Sequence, residues 1–349
     1  MICGYFSVAL FLGMFLHYEF LRSDVLSYWQ ESINWSVPFN EHPPLYALTI
    51  ALIRTLTLNT IPPIVLMMGI NLICFCCCTL LIVQFIQAAG IKPIYASAGA
   101  LLFGLWPLVG LTYTVLPQAD IPAIVLTLAG LVMIQKQRTP IAALLFGLAI
   151  ITHKGVWPII GFVIIADFYL RREFLSRKNL VFLLIMLFPL ATLWIAGSFY
   201  HHSVNWLMER SMRVNTSVGG GYPILDGLFL NLREGGIKGL VKASIVLFFL
   251  SLSLVSLIAS LKLKFKYYEL CSAIAGAILI MLLFSSAGTI WGPIRFSKFL
   301  VIPLIFIANS YLEQRKAGRT IKAQVVVLFV GLFISQFVYA WYIADVFFA

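Results

Sequence analysis

Residues 61–88 read IPPIVLMMGINLICFCCCTLLIVQFIQA. The run carries no charged side chain and is long enough to cross about 30 Å of hydrocarbon as a helix. Comparable apolar runs lie at 2–18, 93–116, 121–134, 141–152, 156–170, 179–199, 240–261, 268–290, 299–312 and 323–346. Lipid offers no partner to an exposed backbone N–H or C=O, so such runs cross as helices. The expected fold class is therefore an all-α polytopic membrane protein of about eleven spans. The runs at 141–152 and 299–312 are short for full crossings, which leaves the count between ten and twelve.

Composition agrees. Of 349 residues, 61% are hydrophobic and 11% charged, against about 45–50% and about 25% in soluble domains. A soluble globular protein and a disordered chain are excluded, and six cysteines do not make a disulfide scaffold. The first run lacks a basic leading segment and a small-residue cleavage site, so it reads as a helix rather than a signal peptide.

The net charge of +11 would fit a nucleic-acid binder until it is placed on the chain. Alternating the sides of successive spans puts Lys92, Lys136, Arg138, Arg171, Arg172, Arg177, Lys178, Lys262, Lys264, Lys266, Arg315, Lys316, Arg319 and Lys322 on one side. Only Asp167, Glu173, Glu269 and Glu313 accompany them, a net +10, while the other side carries +1. By the positive-inside rule the basic side is cytoplasmic. The N-terminus is then cytoplasmic, and two long segments, 19–60 and 200–239, lie outside. The basic loops are too short to fold into soluble domains. Gly219, Gly220 and Gly221 lack the Lys-Ser/Thr of a phosphate loop, so no ATP site is expected.

The first outer segment holds the chemistry. Ser23 is a fitting N-cap, with Asp24 in the first turn of a helix. Asp24, Ser27, Tyr28, Glu31 and Trp35 share one face at helical spacing, polar and aromatic, suited to a wet cavity. Glu31 and Glu41 read as solvated. His42 precedes Pro43 and Pro44, which force it to be extended and open a new helix. Residues 44–58, with leucines at 45, 48, 52 and 56 and Arg54, read as an interfacial helix. Taken alone, Asp24 is equally well a helix-dipole carboxylate, and His-Pro-Pro a turn.

The combination resembles the GT-C superfamily of membrane glycosyltransferases, which use polyprenyl-phosphate-linked sugars. Its relatives include bacterial aminoarabinose transferases and protein O-mannosyltransferases (family 39 type). In that family the first outer loop carries the catalytic acid, commonly a following Tyr, and then a Pro-Pro-Leu element. The matching positions are Asp24, Tyr28 and His42-Pro43-Pro44-Leu45. Ile151-Thr152-His153-Lys154-Gly155 is similar to the family's Thr-Lys element, and Arg295-Phe296-Ser297-Lys298 with Pro303 to its late Arg-aromatic-Pro element. The similarity follows the order of spans along most of the chain. It implies a single GT-C-like domain over 1–349, with Asp24 as catalytic base. Val25 stands where many relatives have a second acid, which weakens the case for a metal site; a divalent cation such as Mg or Mn stays open, and no cofactor is certain. No soluble C-terminal domain is expected after the last span.

Such a transfer breaks a sugar–phosphate bond. It needs a carboxylate to take the acceptor's proton and fixed cations to hold the phosphate. Lys154 and Arg295, at outer helix ends, suit the second role; each is otherwise a snorkelling cation. Asp120, between Pro117 and Pro122, is suited to sugar hydroxyls or a cation, and equally to an N-cap of the fourth span. Tyr28 and His42 complete the expected substrate-binding set. In 200–239, Arg210 and Arg213 suit lipid phosphate, and adjacent His201 and His202 suit a metal poorly. Cys74, Cys76, Cys77 and Cys78 read as small packing residues, with Asn71 and Gln84 as interhelical hydrogen-bonding groups.

The expected partners are a polyprenyl-phosphate-sugar donor, a lipid, glycan or protein acceptor, and the membrane, with no nucleic acid. The expected place is a bacterial inner membrane with the active site facing the periplasm or exterior, in cell-envelope glycan synthesis. A transporter or flippase of lipid-linked sugars and an O-antigen-polymerase-like enzyme are the alternatives. A transporter would place its ionisable groups near mid-membrane, and a polymerase would hold its basic loops late in the chain. Here the charges gather at outer helix ends and the acid follows the first span.

Overall fold

The computed structural model describes residues 24–33, 43–104, 106, 119–171, 176–203, 236–284 and 291–314. The runs at 2–18 and 323–346 and the centre of the 200–239 segment lie outside them. All regular structure among the described residues is helical.

Segment 19–60 contributes α1 (Asp24–Ile33) and α2 (Leu45–Leu56). The run at 61–88 is α3 (Pro63–Ala88), opened by a proline in its first turn, where no N–H is missed. It is followed by α4 (Pro93–Gly104), α5 (Asp120–Gln135) and α6 (Thr139–Ile150). A 3-10 turn, Lys154–Val156, leads into α7 (Trp157–Arg171), and then come α8 (Arg177–His201), α9 (Gly236–Leu263) and α10 (Tyr268–Leu283). The chain ends its described course with α11 (Trp291–Phe296), a 3-10 turn (Ser297–Leu300) and α12 (Val301–Gln314).

Four stretches among these are long and apolar enough to cross a membrane: Val65–Ala88, Arg177–Phe199, Ala243–Leu263 and Ile294–Tyr311. The described residues thus form an all-helical structure with the helices of a membrane protein. The span expected at 141–152 is a helix of 12 residues, about 18 Å long at 1.5 Å per residue. That at 121–134 is a helix of 16 residues, about 24 Å. Both fall short of the hydrocarbon thickness, and both are largely buried between other helices. The run at 299–312 belongs to a longer stretch broken by the 3-10 turn at Ser297–Leu300 and is mostly enclosed.

The bundle packs α3 on α5, α5 on α6, α6 on α8, α7 on α10 and α9 on α10. Trp106, Phe103, Phe146, Phe249 and Phe296 fill its centre. Apolar burial adds little where the outside is also apolar, so close approach holds such helices together. At Gly147 of α6 a Cβ would overlap the Met186 carbonyl oxygen of α8, so only glycine permits that crossing. The outer faces of α8 and α9 are also apolar: Leu180, Leu184, Phe188, Phe199, Leu240, Val255 and Leu261 are exposed. A helix apolar on every side fits a bilayer.

α2 is amphipathic in its packing. Tyr46, Ala47, Ile50 and Ala51 face inward, while Leu48, Leu52 and Leu56 are exposed. α1 packs against it, and this overturns one expectation: Glu31 is buried, at 8% exposure, rather than solvated. On α1, Tyr28, Glu31 and Ser32 are all buried. Asn71 of α3 accepts a hydrogen bond from the Tyr46 hydroxyl at 3.1 Å, the interhelical role expected of it. Cys74, Cys76 and Cys77 are partly buried and Cys78 fully so.

Candidate functional site

Asp120 opens α5 and is fully buried. Ala119 takes the N-cap position without a side-chain cap, so Asp120 sits inside the first turn rather than capping the helix. A carboxylate there is favoured by the helix dipole, but burial removes its water and demands a countercharge. Two groups from separate elements supply it. His153 Nε2 lies 3.5 Å from Oδ1, and Arg295 Nη1 lies 3.6 Å from Oδ2. Both distances exceed hydrogen-bond length, and neither carboxylate oxygen accepts a hydrogen bond. Lys298, fully buried, is within electrostatic reach of Asp120, Arg295 and Cys78.

The chain fixes these partners locally. After α6 the backbone turns, and the Gly155 N–H donates to His153 Nδ1 at 2.9 Å. With Nδ1 accepting, the ring proton of the neutral imidazole is on Nε2, aimed at Asp120. The Phe296 ring lies 5.3 Å from the His153 ring and presses on Gly155, where a Cβ would overlap it. Phe296 adjoins Arg295, so one ring ties the turn that carries His153 to the helix that carries Arg295. Trp106 Nε1 donates to Ser297 Oγ at 2.9 Å, and Ser297 donates to the Ile294 carbonyl at 2.6 Å. These bonds pin the break in the Ile294–Tyr311 stretch just where Lys298 enters the interior.

The segment carrying α1 and α2 reaches the same place. The Leu45 N–H donates to the Ile151 carbonyl at 3.2 Å, tying the start of α2 to the turn before His153. Tyr28 and Tyr46 meet edge to face with centroids 5.1 Å apart. Both belong to one apolar cluster with Ile50, Leu66, Met67 and Ala119, the residue before Asp120.

Of the expected site residues, the structure thus gathers Tyr28, Asp120 and Arg295 at one end of the bundle. Asp24 begins α1, one turn before Tyr28; its side chain lies outside the described residues, as does His42. Lys154 is exposed on the 3-10 turn beside His153. Arg210 and Arg213 also lie outside the described residues. His153, Lys298 and Tyr46 were not singled out from sequence. Lys298 carried a readable signal, an ionisable group directly before the apolar run at 299–312, at the end of the quoted Arg-Phe-Ser-Lys stretch. His153 stood in the quoted Thr-His-Lys-Gly stretch, beside the more conspicuous charge of Lys154. Tyr46 gave no signal, since an aromatic on an amphipathic helix is ordinary.

Chemically, the cluster is a buried carboxylate with an imidazole and a guanidinium at close approach, the Phe296 ring against the imidazole, and the buried Lys298 within electrostatic reach. Asp120 is enclosed while the side chains of His153 and Arg295 are 19% and 26% exposed, so the cluster opens through those two. Among the described residues no group of three or more His, Cys, Asp and Glu side chains converges as a metal cage would. The chain matches no family model, no curated protein and no solved structure.

Proposed function

We propose that the chain is a GT-C-type glycosyltransferase that moves a sugar from a polyprenyl-phosphate-linked donor to an acceptor at the outer face of the membrane. The observation that carries this reading is the meeting of Asp120, His153 and Arg295 beside the Tyr28–Tyr46 contact. Three stretches that resemble that family's elements, far apart in sequence, supply groups to one end of the bundle. A fixed guanidinium suits a phosphate leaving group. The acid of the first outer segment, Asp24, serves as general base toward the acceptor, and Lys154 and His42 are proposed to reach the same substrate.

The depth of the site in the proposed topology suits such a donor. With Lys136 and Arg138 at the cytoplasmic surface, α5 rises about 24 Å and α6 about 18 Å from it. Asp120 and His153 then sit in the outer half of a layer about 30 Å thick. A lipid-borne phosphate reaches that depth with its tail still in hydrocarbon, and a water-soluble nucleotide sugar does not.

The test is sugar transfer by purified protein in lipid nanodiscs supplied with a polyprenyl-phosphate sugar. Asp24→Asn is expected to lose about 10²–10⁴-fold in rate, the usual contribution of a general base, with unchanged expression and melting. Full activity in that variant removes Asp24 from the mechanism. Movement of the intact donor across a vesicle membrane, without transfer, would favour a flippase instead. The buried Lys298 at a helix break is the feature that such a protein shares.

A further inference from the structure

We propose that Asp120 is a positioning residue for phosphate binding: its carboxylate sets the Arg295 guanidinium in the orientation that receives the donor's phosphate, and it touches neither sugar nor metal. The inference rests on the transferase reading above and assigns the role of one residue within it.

Burial separates the two groups. Asp120 has no exposed surface, whereas a quarter of the Arg295 side chain is exposed. A ligand arriving from outside therefore meets the Arg295 side chain before Asp120. Charge separates the candidate ligands of Asp120. A metal ion placed there would face the Arg295 guanidinium, whose Nη1 stands 3.6 Å from the carboxylate in a low-dielectric interior, so a cation is disfavoured. A sugar hydroxyl would have to pass between His153 and Arg295, whose ends stand at 3.5 and 3.6 Å from the carboxylate.

Geometry then favours the indirect role. A guanidinium is a planar fork with donors on more than one edge. When one edge faces a fixed carboxylate, the plane is set, and a second anion is met at a defined angle. Asp120 is fixed by the first turn of α5, and His153 is held against it by the Gly155 N–H. The backbone carrying Arg295 is held by Phe296 against Gly155. The Asp120 carboxylate, 3.6 Å from Nη1, acts on the rotamer of Arg295 from this fixed backbone. The 3.6 Å contact lies just beyond hydrogen-bond length, as active-site contacts often do before the substrate tightens them.

The experiment uses the full chain in nanodiscs, with three probes: polyprenyl phosphate without sugar, octyl hexosides without phosphate, and the complete polyprenyl-phosphate sugar. Asp120→Asn is expected to weaken polyprenyl phosphate binding about 10–100-fold, the scale of a charge-assisted contact. It should raise the donor KM by a similar factor while kcat at saturation stays within about threefold. Asp120→Glu should recover part of the loss, and it carries the test if Asp120→Asn does not fold. In an Arg295→Lys background, which keeps charge but loses the fork, Asp120→Asn should cost nothing further. Octyl hexoside binding should not move. The proposal is overturned if Asp120→Asn lowers kcat at unchanged KM, if it abolishes octyl hexoside binding, or if its effect persists in full beside Arg295→Lys. Sugar transfer with Asp120 and Arg295 acting independently overturns this inference alone. Coupled polyprenyl phosphate binding without any transfer overturns the transferase reading alone. An unaltered protein that binds no polyprenyl phosphate overturns both.

Discussion

Gly155 shows how narrow the tolerances at the site are. Its missing side chain is the space that the Phe296 ring fills, and its N–H is the bond that orients His153. Gly155→Ala should destabilise the protein by about 1–3 kcal/mol, the range for overpacking a closed contact. It should also weaken donor binding, because the Phe296 ring that it displaces adjoins Arg295. Melting of the detergent-solubilised variant and its donor affinity check both. Gly161 of α7 is the control, since a Cβ there would meet nothing within 4 Å: Gly161→Ala should leave both unchanged. Tyr46→Phe removes the hydroxyl that donates to Asn71 and should cost about 0.5–1.5 kcal/mol, the net worth of one such bond, read as a lower melting temperature. At this scale the sequence showed Asp120 and Arg295 as charges at helix ends. It did not show that they touch, because each had a complete local explanation, an N-cap for one and a snorkelling cation for the other.

The helices divide by how they meet lipid. α2 presents Leu48, Leu52 and Leu56 outward and Tyr46 and Ile50 inward, so its outer face should lie against acyl chains. Tryptophan placed at Leu52 should be quenched by brominated lipid several-fold more than tryptophan placed at Ala51, which faces inward on the same helix; equal quenching refutes the orientation. The short α6 is different. At 12 residues it cannot span alone, and it is held between α5 and α8 through Gly147. Gly147→Ala should push α6 away from α8 and lower the melting temperature more than an alanine at Gly161 does. The amphipathic reading of 44–58 was available from sequence, since helical spacing is a local property. The burial of Glu31 was not, since it depends on α1 folding back over α2.

At the scale of the molecule, the asymmetry of basic residues makes a topological prediction. A cysteine at Lys136 should react with a membrane-impermeant maleimide only when the inner surface is open to it. A cysteine at Lys154, exposed on its turn, should react from outside. Reversal of the two would place the candidate site on the cytoplasmic side and exclude a donor presented at the outer surface. The sequence by itself determined that the chain is helical and membrane-associated, and where most helices run, because an apolar run and its period are properties of neighbouring residues. Only the tertiary structure decided the site. Asp120, His153, Arg295 and Lys298 come from three separate parts of the chain, and no local pattern encodes their meeting. Helix packing brings them together, and only in that packing does a buried carboxylate without a countercharge become costly.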